Sequence, residues 1–168
     1  PEALDLAQET AATRRLYGIE NGNPGEYFGT QCLMARRLVE RGVRFVQLFS
    51  GGAFVSPRIY WDGHEDMVRN HGREAGRIDR PLAALLRDLR QRGLLDDTLV
   101  LFTSEFGRTP FAQSGASTLG TGRDHNQNGF SVWLAGAGLR GGMEFEVKNT
   151  GAGRRPARAR RVLLPVFV

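Results

Sequence analysis

The sequence contains two short clusters in which histidine stands beside acidic residues. They are YWDGH at 60–64, with Asp62 and His64, and GRDH at 122–125, with Arg123, Asp124 and His125. The whole chain has only three histidines. Neutral imidazole and ionised carboxylate groups are common protein ligands for zinc, manganese and related divalent ions. Together the clusters predict two walls of a metal site, provided that the fold brings them together. Taken alone, an Asp-x-His pair is more often part of an ordinary surface loop.

A third polar segment follows the apolar run TLVLFTS at 98–104. It begins with Glu105, a further candidate metal ligand, and continues to Arg108. Arg108 and Arg123 are candidate donors for an anionic substrate, because guanidinium groups bind phosphate and sulfate oxygens in pairs. The alternative interpretation is that these arginines are solvated surface charges, or that they form structural pairs with Glu105 or Asp124.

Hydrophobic periodicity predicts the elements that position these residues. Apolar residues at helical spacing indicate helices over 27–41 and 73–92, which end at Gly42 and Gly93. Pro81 falls inside the second span and predicts a looser or kinked turn before it. β-Branched and apolar runs indicate strands at 43–49, 98–104 and 130–135. This alternation predicts an α/β sheet that is covered by helices.

The predicted sheet explains how the clusters could meet. In open α/β sheets, binding groups collect in loops beyond the carboxyl ends of the strands, and Asp62 and Glu105 both follow strands. The cluster at 123–125 instead precedes its strand. It reaches the same edge if the strand at 130–135 runs antiparallel, or if the long loop 105–129 holds it there. We favour the antiparallel arrangement.

Charge and hydropathy exclude some functions. The net charge is +5, and the five arginines of residues 151–168 account for the whole excess of 23 basic over 18 acidic residues. This basic segment lacks interleaved aromatic residues and any known nucleic-acid module, so we do not expect nucleic-acid binding. The sequence has no apolar run of the length needed to span a membrane, so we do not expect a membrane-bound chain.

Several motifs resemble one bacterial family in order and spacing. They are QCLMARRLVERGVRFVQLFSGG, WDGH, PLAALLRDLRQRGLLDDTLVLFTSEFGRTP and GRDHNQNGFSVWLAGAGLRGG. Residues 1–143 resemble the C-terminal half of the domain of unknown function 1501 family, sulfatase-like proteins that are abundant in planctomycetes. That family is grouped with the alkaline phosphatase and sulfatase superfamily. The resemblance implies an alkaline-phosphatase-like α/β sandwich, here incomplete, with a mostly parallel sheet flanked by helices and one antiparallel edge strand.

The resemblance also implies a site. Superfamily members hold one or two divalent ions, such as zinc, manganese, calcium or magnesium, at the strand ends. Asp62, His64, Glu105 and His125 resemble their ligands, and Asp124 is a further candidate from its cluster. The superfamily pattern Thr-x-Asp-His-Gly reads TSEFG here, so Phe106 replaces a histidine ligand. The nucleophile of the superfamily belongs to the N-terminal half, so we expect no catalytic residue in this chain.

Three functions follow as hypotheses. The first is a fragment of a metal-dependent hydrolase of sulfate or phosphate esters, which needs the missing N-terminal half of the same protein as a partner. The second is a non-catalytic binder of sulfated or phosphorylated glycans with a degenerate metal site. The third is a basic interaction module formed by residues 151–168. We expect residues 144–168 to be a divergent tail, disordered or frameshifted, and we expect the parent protein to be exported or periplasmic if it resembles its family.

Overall fold

The computed structural model describes residues 2–51, 61–63, 66–104, 106–111, 122–142 and 162–167, the last range for its backbone only. Two short 3-10 helices come first, Glu2–Leu4 and Leu6–Gln8. The further elements are α1 (Ala11–Leu16), α2 (Glu26–Glu40), β1 (Leu48–Phe49), α3 (Met67–Gln91), β2 (Thr98–Thr103), β3 (Gly107–Arg108), β4 (His125–Asn126), β5 (Val132–Gly136) and β6 (Val162–Phe167). The protein is therefore an α/β protein, as the sequence predicts.

The two long helices end where the glycines predict. Gly42 and Gly93 both have positive φ, 84° and 68°, a conformation that glycine adopts without a steric cost. After α2, the Val43 amide donates to the Leu38 carbonyl and the Gly42 amide donates to the Val39 carbonyl. This is the Schellman pattern, which satisfies carbonyls that the helix end leaves without partners.

The helix α3 begins earlier than the periodicity predicts. Asp66 caps it, with its side chain accepting a hydrogen bond from the Arg69 amide at 3.0 Å. The helix continues through Pro81, which is buried, instead of loosening before it. Proline cannot donate to the carbonyl four residues earlier. That carbonyl, of Arg77, lies against Gly25, where a Cβ atom would come within 2.6 Å of the oxygen.

The main sheet has four strands in the order β1-β6-β2-β5. The strand β6 pairs in parallel with both β1 and β2, and β5 pairs antiparallel with β2. The antiparallel direction of β5 confirms the arrangement that we favoured from the sequence. β1 is only two residues long, shorter than the predicted strand at 43–49. The finer assignment to an alkaline-phosphatase-like sandwich stays a prediction.

The strand β6 lies within the segment for which the sequence predicts a disordered or frameshifted tail. Its residues, VLLPVF, are apolar and partly β-branched, a composition that favours a strand. They occupy the middle of the sheet, so the expected disorder does not extend to these six residues. The predicted domain boundary after residue 143 stays a prediction.

The core lies between the helices and one face of the sheet. Leu33 of α2, Leu85 and Leu89 of α3 and Val100 of β2 are fully buried in one cluster. Burial of one such side chain contributes about 1.5–3 kcal/mol. The core thus fixes α3 against β2. Within the described residues, none of the helices has the length and apolar character needed to cross a membrane.

A buried arginine joins the helices to the N-terminal segment. The Arg36 side chain, only 2% exposed, forms ion pairs with Glu9 at 2.8 Å, Glu40 at 2.7 Å and Asp88 at 3.0 Å. A buried charge needs partners of this kind, because removal from water is costly. Arg36 therefore ties α2 to α3 and to the chain before α1.

Further charges complete this buried network. Arg37 pairs with Glu9, Arg92 pairs with Asp88, and the Tyr17 hydroxyl donates to Asp88 at 2.9 Å. Burial by itself would raise the pKa of the Glu9 carboxyl. Contacts with Arg37 and Arg36 outweigh burial and hold that pKa below its ordinary value of 4.5.

Candidate functional site

Residues 61–63, just before α3, are held in place by contacts with α3 and with Ser50. The Trp61 carbonyl accepts a hydrogen bond from His71 Nε2 on α3 at 2.8 Å, and the Trp61 indole N–H donates to Ser50 Oγ at 3.2 Å. Gly63 fits closely beside α3, because a Cβ atom there would lie 3.1 Å from Met67 Cα. These contacts set the position of Asp62, which lies between Trp61 and Gly63.

A small two-stranded ladder brings the second cluster to the end of β2. The strand β3 pairs antiparallel with β4, with Gly107 opposite Asn126 and Arg108 opposite His125. Outside the ladder, the Thr109 amide donates to the Asp124 carbonyl at 2.9 Å. The sequence left two ways of placing the second cluster: an antiparallel strand at 130–135, or a long loop that holds the cluster at the sheet edge. Both are present, because β5 runs antiparallel to β2 and residues 107–109 bond to residues 124–126.

Three of the predicted side chains meet at one carboxylate oxygen. Asp62 Oδ1 accepts from His125 Nε2 at 2.7 Å and from Arg108 Nη2 at 2.9 Å. We call Asp62, Arg108 and His125 the Asp62 cluster. Asp62 and His125 are 37% and 40% exposed, whereas the Arg108 side chain is only 13% exposed. The cluster thus combines an accessible carboxylate–imidazole pair with a largely buried cation.

Arg108 connects three segments of the site. Besides Asp62, it donates from Nη1 to the Arg123 carbonyl at 3.0 Å and from Nη2 to the Trp61 carbonyl at 3.3 Å. The sequence predicted a substrate contact, or a structural pair with Glu105 or Asp124. Among the described residues, Arg108 pairs with Asp62. Its substrate contact stays a prediction, and Glu105 lies outside the described residues. Nothing in the sequence distinguishes Asp62 from the other acidic residues as its partner.

Arg123 lies beside the same loop but outside the Asp62 cluster. Its main-chain amide donates to the Gly63 carbonyl at 3.2 Å, and its Nη1 donates to the Thr109 carbonyl at 3.3 Å. The side chain is half-buried. Arg123 therefore places a second guanidinium group on the segment next to His125, and its role in binding substrate stays a prediction.

The other predicted metal ligands are Asp124, His64 and Glu105. Asp124 is exposed, and its Oδ1 accepts from the His125 amide at 2.7 Å. Over the described ranges, no three histidine, cysteine or acidic side chains lie together in a group able to hold a metal ion. His64 and Glu105 lie outside the described residues, so their predicted roles as ligands stay predictions.

Phe106 has a clear contact in the structure. Its ring lies against the His125 imidazole, with the ring centroids 4.1 Å apart and the planes tilted by 34°. A phenyl ring has no donor atom for a metal ion, so Phe106 cannot serve as a ligand. It packs against the imidazole and limits the positions that this side chain can adopt.

His71 is a site residue to which the sequence gave little weight. It precedes the regular part of the predicted helix, where a histidine often caps the helix or faces water. The structure places it within α3, with its ring 5.7 Å from the Trp61 indole. A stronger signal would have been its position five residues after the capping residue Asp66, in the first turns of the helix.

The donor types of the cluster suit a divalent ion. Asp62 and His125 supply one carboxylate oxygen and one imidazole nitrogen, both of which zinc and manganese accept. The two atoms are 2.7 Å apart and form a hydrogen bond. A four-coordinate ion needs further ligands, for which His64 and Glu105 are the sequence candidates.

A separate groove lies beside the middle of α3. It has a volume of about 540 Å³ and is lined by α3 residues such as Ile78, Leu82 and Leu86, together with Phe102 and Trp133. The Phe102 and Trp133 rings are stacked, with centroids 5.3 Å apart. No residue of the Asp62 cluster lines this groove, so it is a different feature of the surface.

The fold and the cluster define an α/β protein with an acid–histidine–arginine site in the loops that follow β1 and β2. Residues 1–151 match the family model described as protein of unknown function (DUF1501), and the chain belongs to this family. The match extends slightly beyond the segment 1–143 that the motifs indicate. Comparison with curated proteins and with solved structures finds no significant match.

Proposed function

We propose that this chain carries the metal-binding and oxyanion-binding part of a metal-dependent hydrolase that acts on sulfate or phosphate esters. The observation that supports this most directly is the meeting of Asp62 and His125 at 2.7 Å. They come from two distant clusters that the sequence singled out for metal chemistry. The proposal includes the placement of the family in the alkaline phosphatase and sulfatase superfamily.

The surroundings of the pair support a binding role. Hydrogen bonds to Trp61 hold the loop of Asp62, and the β3–β4 ladder and the Phe106 ring hold His125. A site whose ligands are already held in place loses less freedom when it binds an ion. Both side chains are partly exposed, so an ion in solution can reach them.

The chemistry follows from the groups present. A divalent ion in such a site polarises the ester oxygens and offsets negative charge in the transition state. Arg123 adds a guanidinium group on the adjacent segment, suited to the oxygens of sulfate or phosphate. In this proposal the nucleophile comes from the N-terminal half that the family resemblance implies, and the present chain binds and orients the ester.

A second candidate function is a non-catalytic binder of sulfated or phosphorylated glycans. Two observations favour it. Arg108 already neutralises Asp62, which weakens the attraction of this carboxylate for a cation. Phe106 occupies the place of a histidine ligand in the superfamily pattern and packs on His125. In this alternative the arginines bind the anionic groups without a metal ion.

Metal content tests the first candidate. The purified chain, shown to be folded by circular dichroism, is equilibrated with zinc or manganese and analysed by elemental mass spectrometry. We expect about one equivalent or more, with affinity at least about tenfold weaker in Asp62→Asn and His125→Ala. Asp97→Asn removes an exposed carboxylate elsewhere and serves as the control.

The alternative outcomes separate the candidates. A folded chain that takes up no metal but binds sulfated oligosaccharides through Arg108 and Arg123 would support the second candidate. Metal bound equally well by the wild type and by both site variants would place the ion elsewhere and contradict the proposed site.

A further inference from the structure

The groove beside the middle of α3 is an apolar surface with one open side. It is lined by Ile78, Leu82 and Leu86 of α3 and by the stacked rings of Phe102 and Trp133. Trp133 stays 37% exposed, although an indole ring gains free energy when it leaves water. The groove therefore offers a large apolar surface to a binding partner.

Small residues of α3 keep the groove open along the helix. Gly76 and Ala83, seven residues apart, both line it and are exposed. A Cβ atom added at Gly76 would meet nothing within 4 Å. From Ala75 to Leu86, the lining residues of α3 span about three turns, roughly 17 Å. A second helix can lie along such a surface, because side chains at the contact set how closely two helices approach, at about 8–10 Å between axes.

A row of arginines borders the solvent side of the groove. Arg73, Arg80 and Arg87 recur every seven residues of α3 and are all exposed. Each lies three or four residues from Gly76 or Ala83, so they are neighbours on the helix surface. Arg80 forms an ion pair, whereas Arg73 and Arg87 have no acidic partner among the described residues. The groove thus combines an apolar surface with a basic border.

We propose that this groove binds an amphipathic helix of a partner protein, with an apolar stripe against Phe102 and Trp133 and acidic residues beside Arg73 and Arg87. Recognition of a helix in a groove uses apolar residues at helical spacing, which suits a groove of this length. Opposite charges along the border guide the partner and select against basic helices. The proposal is independent of the metal-dependent hydrolase proposed above.

Asp79 makes the charge requirement testable in both directions. Among the described residues it is the only acidic one that lines the groove, and it is exposed. Its carboxylate repels an acidic helix, whereas the neighbouring arginines attract it. Removal of the Asp79 charge and removal of an arginine charge should therefore change the affinity in opposite directions.

The probe is a synthetic helical peptide of about four turns. It has leucine at helical spacing on one face, glutamate along one flank and glutamine elsewhere. The comparison peptide has lysine in place of each glutamate. Both carry a fluorescent label, and binding to the whole chain is followed by fluorescence anisotropy. We expect the acidic peptide to bind at least about tenfold more tightly than the basic one, with a difference that shrinks as salt is added.

Variants at exposed positions test the groove itself. Gly76→Glu places a charged side chain into open space beside the apolar surface and should weaken binding of the acidic peptide at least about tenfold. Arg87→Gln should weaken it about threefold, and Asp79→Asn should strengthen it by a similar factor. Arg44→Gln removes an exposed arginine outside α3 and is the matched control. Circular dichroism confirms that each variant is folded.

Each contrary result overturns the proposal. Equal binding of the acidic and basic peptides, or no binding of either, would mean that the border does not select an acidic helix. Binding that Gly76→Glu leaves unchanged would place the peptide outside the groove. Size-exclusion chromatography with light scattering checks the occupant. A dimer that Gly76→Glu dissociates would assign the groove to a second copy of this chain instead of a separate partner.

Discussion

The buried Arg36 provides the sharpest test of how this fold is stabilised. We consider the substitution Arg36→Met, which keeps a long side chain and removes the charge. The structure gives Arg36 three carboxylate partners within 3.0 Å, and two of them, Glu9 and Asp88, have side chains only 8% and 7% exposed. The variant therefore takes away one positively charged partner from each of two buried carboxylates, Glu9 and Asp88.

The size of the stability loss in Arg36→Met depends on the partners that Glu9 and Asp88 keep. Removal of one partner from a buried ion pair costs about 3–5 kcal/mol. Glu9 keeps Arg37, and Asp88 keeps Arg92 and the Tyr17 hydroxyl, so we expect the lower end, about 3 kcal/mol. This is a large part of the 5–15 kcal/mol typical of a whole protein. For a chain of this size it corresponds to a fall in Tm of roughly 6–12 °C.

The stability loss caused by Arg36→Met should become smaller in acid. The pKa of Glu9 is below its ordinary value of 4.5, so its ion pairs stabilise the folded state above pH 4.5. That contribution is lost as the pH falls through the lowered pKa. In Arg36→Met, protonation of Glu9 also removes a buried negative charge that has lost one of its cationic partners. The difference in stability between wild type and variant should therefore shrink below pH 4.5.

Urea denaturation followed by circular dichroism at pH 7 and in acid measures both effects. Arg80→Met is the control, because the Arg80–Glu20 pair has both side chains more than 40% exposed and should contribute less than about 1 kcal/mol. A cost for Arg36→Met below about 1 kcal/mol at pH 7, or an equal cost at both pH values, would refute the reasoning.

Two further predictions concern close packing and the site loop. Gly29→Ala should lower the free energy of unfolding by about 2 kcal/mol or more, since its Cβ atom would lie 2.1 Å from the Tyr17 carbonyl oxygen. Gly72→Ala, with nothing within 4 Å, should instead stabilise α3 by roughly 0.5–1 kcal/mol. Equal effects of the two changes in thermal melts would contradict this explanation. His71→Ala removes the donor to the Trp61 carbonyl and should weaken Mn²⁺ binding, whereas His71→Gln, which keeps an N–H donor, should restore it. Isothermal titration calorimetry with Mn²⁺ checks this, and failure of the glutamine variant to restore binding would argue against a positioning role.

Local patterns in the sequence predicted the two long helices, α2 and α3, and the strand β2 well, whereas α1 and the two 3-10 helices were not predicted. The glycines that end α2 and α3 act through their own backbone conformation, so Gly42 and Gly93 could be recognised without knowing the fold. The start of α3 could not be recognised from the sequence, because residues 67–72 have a weak apolar pattern. Their helix depends on the cap at Asp66. Continuation through Pro81 depends on the glycine that faces the freed carbonyl, which is distant in sequence.

Long-range pairings explain what the sequence left open. The meeting of Asp62 and His125 followed from the rule that binding groups collect at strand ends, together with the direction of β5. The partner of Arg108 did not follow, because several carboxylates were equally available. The strand β6 was missed because the arginines before it dominated the composition of that segment, whereas its position depends on β1 and β2.

The order of strands in space differs from their order along the chain. The strand β6 lies between β1 and β2, and in the part of the chain that the structure describes it joins these two earlier strands in the sheet. During synthesis α2 and α3 can pack against each other as soon as both have emerged, since their contacts need no later part of the chain. The four-stranded sheet cannot close until residues 162–167 arrive and insert at its centre. Because pairings between distant segments form slowly, the edges of β1 and β2 stay available to other strands in the meantime, and sheet assembly is the step at which nascent chains of this protein are most exposed to mispairing.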